Sequence, residues 1–246
     1  MNKTSFGALL YREYVLSKKN AFMTIIASAL IMLISLLISV SMKVGNLAHA
    51  DDVIIREVFS NTRLLGIYAS CFIMCISVEA TMKDETSNIW KLFRKSTPVS
   101  PFKLSLAKFT LIFIFLLLSA AFAGVYLLAD SAISGSPVAP SDITMLTLVL
   151  AVISLMIAVQ VVCATLTGST DKGGLMSIFI MAAVLIPAIK TIKGKLPADE
   201  GRSLSETLKS FSDMSVSIFP LVCIFIAAVF IIGFVVTALL YKRREK

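Results

Sequence analysis

K-D-E-T-S-N-I-W-K-L-F-R-K-S-T-P-V-S-P-F-K-L-S-L-A-K, residues Lys83–Lys108, lies between two long apolar runs and carries six of the 23 basic residues and the only Trp. Its pattern predicts a short helix lying along one face of a membrane. Asp84 and Glu85 stand at or just before the N-terminal end of that helix, and Lys91, Arg94 and Lys95 near its C-terminal end. That order suits the helix dipole. Thr86 or Ser87 is the candidate N-cap. Ile89, Trp90 and Phe93 fall on one face, since positions three and four apart are neighbours on a helix. Pro98 cannot continue the helix. Ser100-Pro101 reads as the N-cap and first-turn proline of the next one. Two readings of the stretch stand side by side: a basic loop with a Trp at the headgroup level, and a protein-docking surface.

The flanking sequence sets the class. The chain has 246 residues, 57% of them hydrophobic, and a mean hydropathy of +0.90. An average soluble domain is far less apolar, so an all-α polytopic membrane protein is expected. Six runs approach or exceed the length needed to cross an apolar layer of about 30 Å: Ala21–Met42, Leu64–Met82, Phe109–Leu128, Ile143–Leu166, Leu175–Ile189 and Ile218–Leu240. The fifth is the shortest and contains Pro187, which predicts a kink or break near its outer end. A net charge of +8 invites a nucleic-acid reading, but the basic residues border apolar runs. Positive-inside topology explains them instead, and no nucleic-acid partner is expected. With six spans, the alternate loops carry +10 on one side and −1 on the other. Both termini are therefore assigned to the cytoplasm. The loop 190–217 strains this assignment, because it holds five Lys and Arg residues on the outer side.

Along the chain, residues 1–20 read as an amphipathic helix in the interface plane, with Phe6, Leu9, Leu10 and Tyr14 at helical spacing. Ala48-His49-Ala50 resembles a signal cleavage site, but the apolar run before it is too long for a signal peptide. Ser28, Ser35 and Ser39 share a face of the first span, and small residues let membrane helices approach closely. His49, Asp51 and Asp52 read as a solvated loop, not a metal site. Glu79 is the one carboxylate read as lying inside an apolar run, and Gln160 the polar residue expected to face protein in the fourth. Intramembrane ionisable groups are functional candidates, yet Glu79 also stands in favourable i,i+4 order with Lys83. Asp130–Asp142 reads as a short outer turn, and Gly168–Gly174 as a loop lacking the phosphate-binding order. Cys71, Cys75, Cys163 and Cys223 all lie in apolar runs; Cys71 and Cys75 read as small apolar residues, not a metal pair. No zinc-protease, nucleophile-elbow or dinucleotide motif occurs, so an enzyme is not expected. Nothing in the chain reads as able to hydrolyse ATP.

The layout resembles the ABC-2 type transporter permeases. The stretch S-V-E-A-T-M-K-D-E-T-S-N-I-W-K-L-F-R-K-S-T-P-V-S-P-F-K-L-S-L-A-K carries the resemblance, as a carboxylate, a short helix, a proline, a Ser-Pro pair and a Lys opening the third span. Those are Glu79, Ile89–Lys95, Pro98, Ser100-Pro101 and Lys108; Ser87-Asn88 stands where the family often has a Gly. The form without an ATPase domain is similar to bacterial peptide-toxin exporters and lantibiotic-immunity permeases. The resemblance implies a type V exporter-like fold in a bacterial cell membrane, with an N-terminal interfacial helix and a cytoplasmic coupling helix in segment 83–98. It implies a permease subunit moving an amphipathic or hydrophobic substrate, peptide foremost, out of the cell or membrane. ATP and Mg would be bound by a separate ABC ATPase subunit, with no cofactor in this chain. Glu85, Ile89, Trp90, Phe93 and Arg94 would contact that ATPase. A second permease copy, identical or not, would pack on Ser28, Ser35 and Ala183. The fifth span's outer end and the next loop would form an extracellular gate. Two other classes stay open: a stand-alone secondary transporter or channel with Glu79 as ion site, and a non-transporting membrane anchor.

Overall fold

The computed structural model describes residues 5–45, 62–71, 100–195 and 218–244, and among them helix is the only regular structure. The helices are α1 (Phe6–Val44), α2 (62–71), α3 (Pro101–Ser134), α4 (Pro140–Thr167), α5 (Thr170–Lys195) and α6 (Ile218–Arg244). Four of them, α1, α3, α4 and α6, are long and apolar enough to cross a membrane. The protein is therefore an all-helical, multi-pass membrane protein. Helix is what an apolar solvent demands, because every backbone N–H and C=O is satisfied within the segment.

Local chemistry sets the helix ends. Ser5 caps α1, its hydroxyl accepting from the Ala8 N–H at 3.2 Å. Ser100 stands at the N-cap position of α3 with Pro101 at N1, as expected, though its side chain makes no capping bond. Gly135 ends α3 and Gly168 ends α4, both left-handed, with φ of 75° and 69°. A Cβ at either position would strain that conformation. Asp142 closes the start of α4 by accepting from the Ala139 N–H at 3.0 Å.

Helix α1 packs on α3, α3 on α6, α6 on α4, and α4 on α5; α3 also touches α4. Leu9 of α1, Leu104 and Ala107 of α3 and Tyr241 of α6 form one cluster. The start of α1, the start of α3 and the close of α6 thus share one end of the bundle, called here the first end. Gly135–Ala139 turns the chain at the second end. Helices α1 and α3 run parallel, and α6 runs against them. Five Phe rings knit α3 to α6: Phe102 meets Phe234 at 4.7 Å, and Phe109 and Phe113 each meet Phe230 at 6.1 Å, all edge-on. Gly233 makes this approach possible, since a Cβ there would stand 2.9 Å from the Phe109 ring and 3.3 Å from the Ala158 Cβ.

Helix α1 is apolar outside and polar inside. Its buried stripe is Leu9, Glu13, Ser17, Ala21, Thr24, Ser28, Met32, Ser35, Ser39 and Met42, at steps of three or four. Phe22, Met23, Leu30, Leu33, Ile34 and Leu37 are exposed on the other side. In lipid, large apolar residues gain nothing by burial, whereas small hydroxyl residues gain close packing and hydrogen-bond partners.

Several expectations are corrected. Among the described residues no separate interfacial helix precedes the first span: α1 runs unbroken from Phe6 to Val44. The buried stripe crosses Asn20-Ala21 without a change of phase, and neither Gly nor Pro interrupts it. Asp130 lies inside α3 and Asp142 inside α4, so the turn between them is shorter than 130–142. Gly173 and Gly174 belong to α5, not to a loop. A Cβ on Gly173 would fall 2.5 Å from the Ala164 Cα, so the glycine is where α5 presses on α4. Helix α5 also continues past Pro187 to Lys195, so the expected loop 190–217 begins within a helix.

Candidate functional site

The buried charged side chains among the described residues gather in two places, both on the line where α1 meets α3. At the first end Glu13 is 0% exposed and Lys108 2%. Lys108 Nζ lies 3.5 Å from Glu13 Oε2, and Arg12 Nη1 donates to Glu13 Oε1 at 2.6 Å. Parallel packing brings these groups together, because each belongs to the opening turns of its own helix. A carboxylate so buried holds its charge only with a cation beside it.

At the second end one guanidinium joins three helices. Arg63 of α2 donates through Nε to Asp130 Oδ2 of α3 at 2.7 Å and through Nη1 to Asp142 Oδ2 of α4 at 3.0 Å. Its remaining nitrogen, Nη2, lies 3.4 Å from the Ser136 carbonyl in the turn. Helix α1 joins through Ser39, whose hydroxyl donates to Asp130 Oδ1 at 2.7 Å. Both oxygens of Asp130, a residue 0% exposed, are thereby used. One turn further in, Ser35 Oγ donates to the Thr62 carbonyl at 2.7 Å. The Tyr126 hydroxyl lies 2.7 Å from Ser35 Oγ and 3.3 Å from the same carbonyl. The Tyr126 ring reaches this place over Gly66, where a Cβ would collide with it.

Spacing gives the two clusters their meaning. Lys108 and Asp130 are 22 residues apart on α3 with no charged residue between them. At 1.5 Å per residue that is about 33 Å, close to the thickness of the apolar layer. The clusters thus bracket the apolar part of the bundle and pin α1 to α3 at both boundaries. Between them the interface is apolar or hydroxylic, and the Ser119 hydroxyl is buried there with no hydrogen-bond partner. Among the described residues no group of three or more His, Cys, Asp or Glu is placed to hold a metal. The chemistry on offer is mechanical: charged clasps that hold helices in register and can be exchanged.

The residues singled out from the sequence fare unevenly. Glu79, Glu85, Ile89, Trp90, Phe93, Arg94 and Cys75 lie outside the described residues, as does the whole of segment 83–98. Gln160 is half-buried in α4. Ser28 and Ser35 are 1% and 0% exposed within the single chain, so the expected contact with a second copy is corrected. Their face is taken up by this chain's own helices, Ser35 bonding to α2 and α3. Ala183 is exposed on α5. Cys71 and Cys163 are buried free thiols and Cys223 is exposed. Glu13 and Asp130 are buried carboxylates within helices, and those two were missed as sites. Lys108 entered only through the resemblance. A usable signal was present: Arg63 and Asp130 are opposite charges at the edges of apolar runs, assigned to the same side of the membrane. No family profile, curated protein or solved structure matches this chain.

Proposed function

We propose that the chain is the permease subunit of an exporter driven by a separate ATPase, with six spans and the first end facing the cytoplasm. The spans are the six apolar runs, one to each of α1 to α6. The substrate class is amphipathic or hydrophobic, peptide foremost, as the resemblance to the ABC-2 type permeases implies. The observation that carries the reading is the hub at the start of α3. Three residues after Pro98 the chain enters α3, whose opening turns are tied to α1 through Lys108 and Glu13. The same turns are tied to α6 through the Ser105 hydroxyl, which donates to the Phe234 carbonyl at 3.0 Å. A push on segment 83–98 would therefore move α1, α3 and α6 together instead of being absorbed in a loose loop. This is the mechanical link that a coupling segment requires. ATP and Mg belong to the partner subunit, and a second permease copy completes the path.

Co-purification of the ATPase tests this reading, together with substrate-stimulated ATP hydrolysis in proteoliposomes. Trp90→Ala and Phe93→Ala should each weaken docking by about 1–3 kcal/mol, the range of interface anchors, while the chain still inserts. If docking and stimulated hydrolysis both survive the double substitution, the coupling assignment fails. Proton- or sodium-driven transport by the chain alone would instead establish the stand-alone transporter.

A further inference from the structure

We propose that the Arg63 cluster is a charge-locked gate at the second end of the bundle, distinct from any gate at the outer end of α5. Arg63 is the only group among the described residues that bonds to both α3 and α4 through carboxylates. Helices α1 and α3 form one packed pair, and α4 packs mainly on α5 and α6. Between the two groups at this end stand the Gly135–Ala139 turn and the Arg63 bridge. Asp142 is suited to release. Its Oδ2 already accepts from the Ala139 N–H, and its side chain is 15% exposed against 0% for Asp130. When Arg63 swings away, Asp142 keeps its capping bond and a path to water, and Asp130 keeps Ser39. The weak arm of the clasp is therefore Arg63–Asp142, and the strong arm Arg63–Asp130. Opening separates α4 from the α1–α2–α3 group and uncovers Tyr126, Leu127 and Ile67, which line the seam beneath. Those residues would meet an apolar or amphipathic molecule leaving the bundle, a role that rests on the exporter reading above.

The experiment is thiol labelling at the seam. Leu127, 4% exposed, is replaced by Cys in a chain whose four cysteines are changed to Ala, and the protein is reconstituted in liposomes. A membrane-impermeant maleimide is added from the second-end side. Leu127→Cys should be protected with Arg63 in place. Asp142→Asn, which leaves Asp130 paired, should raise the labelling rate about tenfold, the effect of losing one charge-assisted hydrogen bond. The double variant Arg63→Gln with Asp130→Asn removes both charges of the strong arm, so no bare buried charge remains to unfold the bundle. It should melt near the parent temperature and label at the open rate. Protection that persists in both variants while both remain folded overturns the gate. Raised labelling in a chain that supports no ATP-driven transport with its ATPase would leave the opening intact and sink the exporter reading instead; raised labelling with transport unchanged would overturn the gate's role in export.

Discussion

At the scale of single residues, the bundle spends its charge in pairs. Glu13 and Asp130 are completely buried, and each stands beside a cation, Lys108 and Arg63. A buried ion pair adds little net stability over an apolar pair of the same shape, whereas removing one partner costs about 3–5 kcal/mol. Lys108→Met should therefore lower the stability of the detergent-solubilised protein by about 3 kcal/mol. The Arg12 guanidinium would remain as Glu13's cation. Thermal unfolding followed by circular dichroism measures it, and an unchanged melting temperature would show that Lys108 does not hold the carboxylate. Glu13 was hard to read from sequence because residues 1–20 pattern as an amphipathic tail, where a Glu belongs in water. It is buried only because α3 lies alongside α1 at that level.

At the scale of elements, helix contacts here depend on glycine and small hydroxyl residues more than on large apolar ones. Gly173 brings α5 against Ala164 of α4, and Gly233 lets the Phe109 ring enter between α6 and α3. Gly233→Val would push a branched side chain into that ring. The overpacking should cost about 1–3 kcal/mol, whereas Gly7→Val, where a Cβ would meet nothing, should gain a few tenths of a kcal/mol from helix propensity. The comparison of the two melting temperatures is the check; equal shifts would mean that Gly233 is not a contact point. Helix existence and approximate span limits were legible from apolar run length, and the Ser100-Pro101 start of α3 from local cap chemistry. Helix ends were less legible. Apolar runs stop where water begins, but α1 and α3 continue beyond their runs because charged residues propagate a helix as well as apolar ones do.

At the scale of the whole molecule, parallel α1 and α3 with α6 antiparallel place the start of α1 and the end of α6 on one side. Single Cys substitutions at Lys18 and Lys242 should then react from the same side, and Ser136→Cys from the opposite one. Impermeant thiol labelling of sealed cells reads this directly; the cytoplasmic assignment requires that only Ser136→Cys reacts from outside. A disagreement between Lys18 and Lys242 would break the fold itself. Burial of Ser28 and Ser35 also redirects the search for a second copy. Ala183, exposed on α5, is the surviving candidate contact for dimer cross-linking.

The membrane class, the helical content and the shared side of the two termini follow from the sequence alone. The cost of an unpaired backbone in lipid leaves helix as the solution for long apolar runs, and Lys and Arg placement biases orientation. The partner of each buried charge is a tertiary decision. Ser39 and Asp130, or Glu13 and Lys108, lie more than 90 residues apart in the chain. A hydroxyl stripe on one helix is compatible with packing on another copy or on its own neighbour. Only the parallel docking of α1 on α3 selected the neighbour, and in doing so it set Glu13 beside Lys108 at one boundary of the apolar layer and Ser39 beside Asp130 at the other, where neither carboxylate could be left alone.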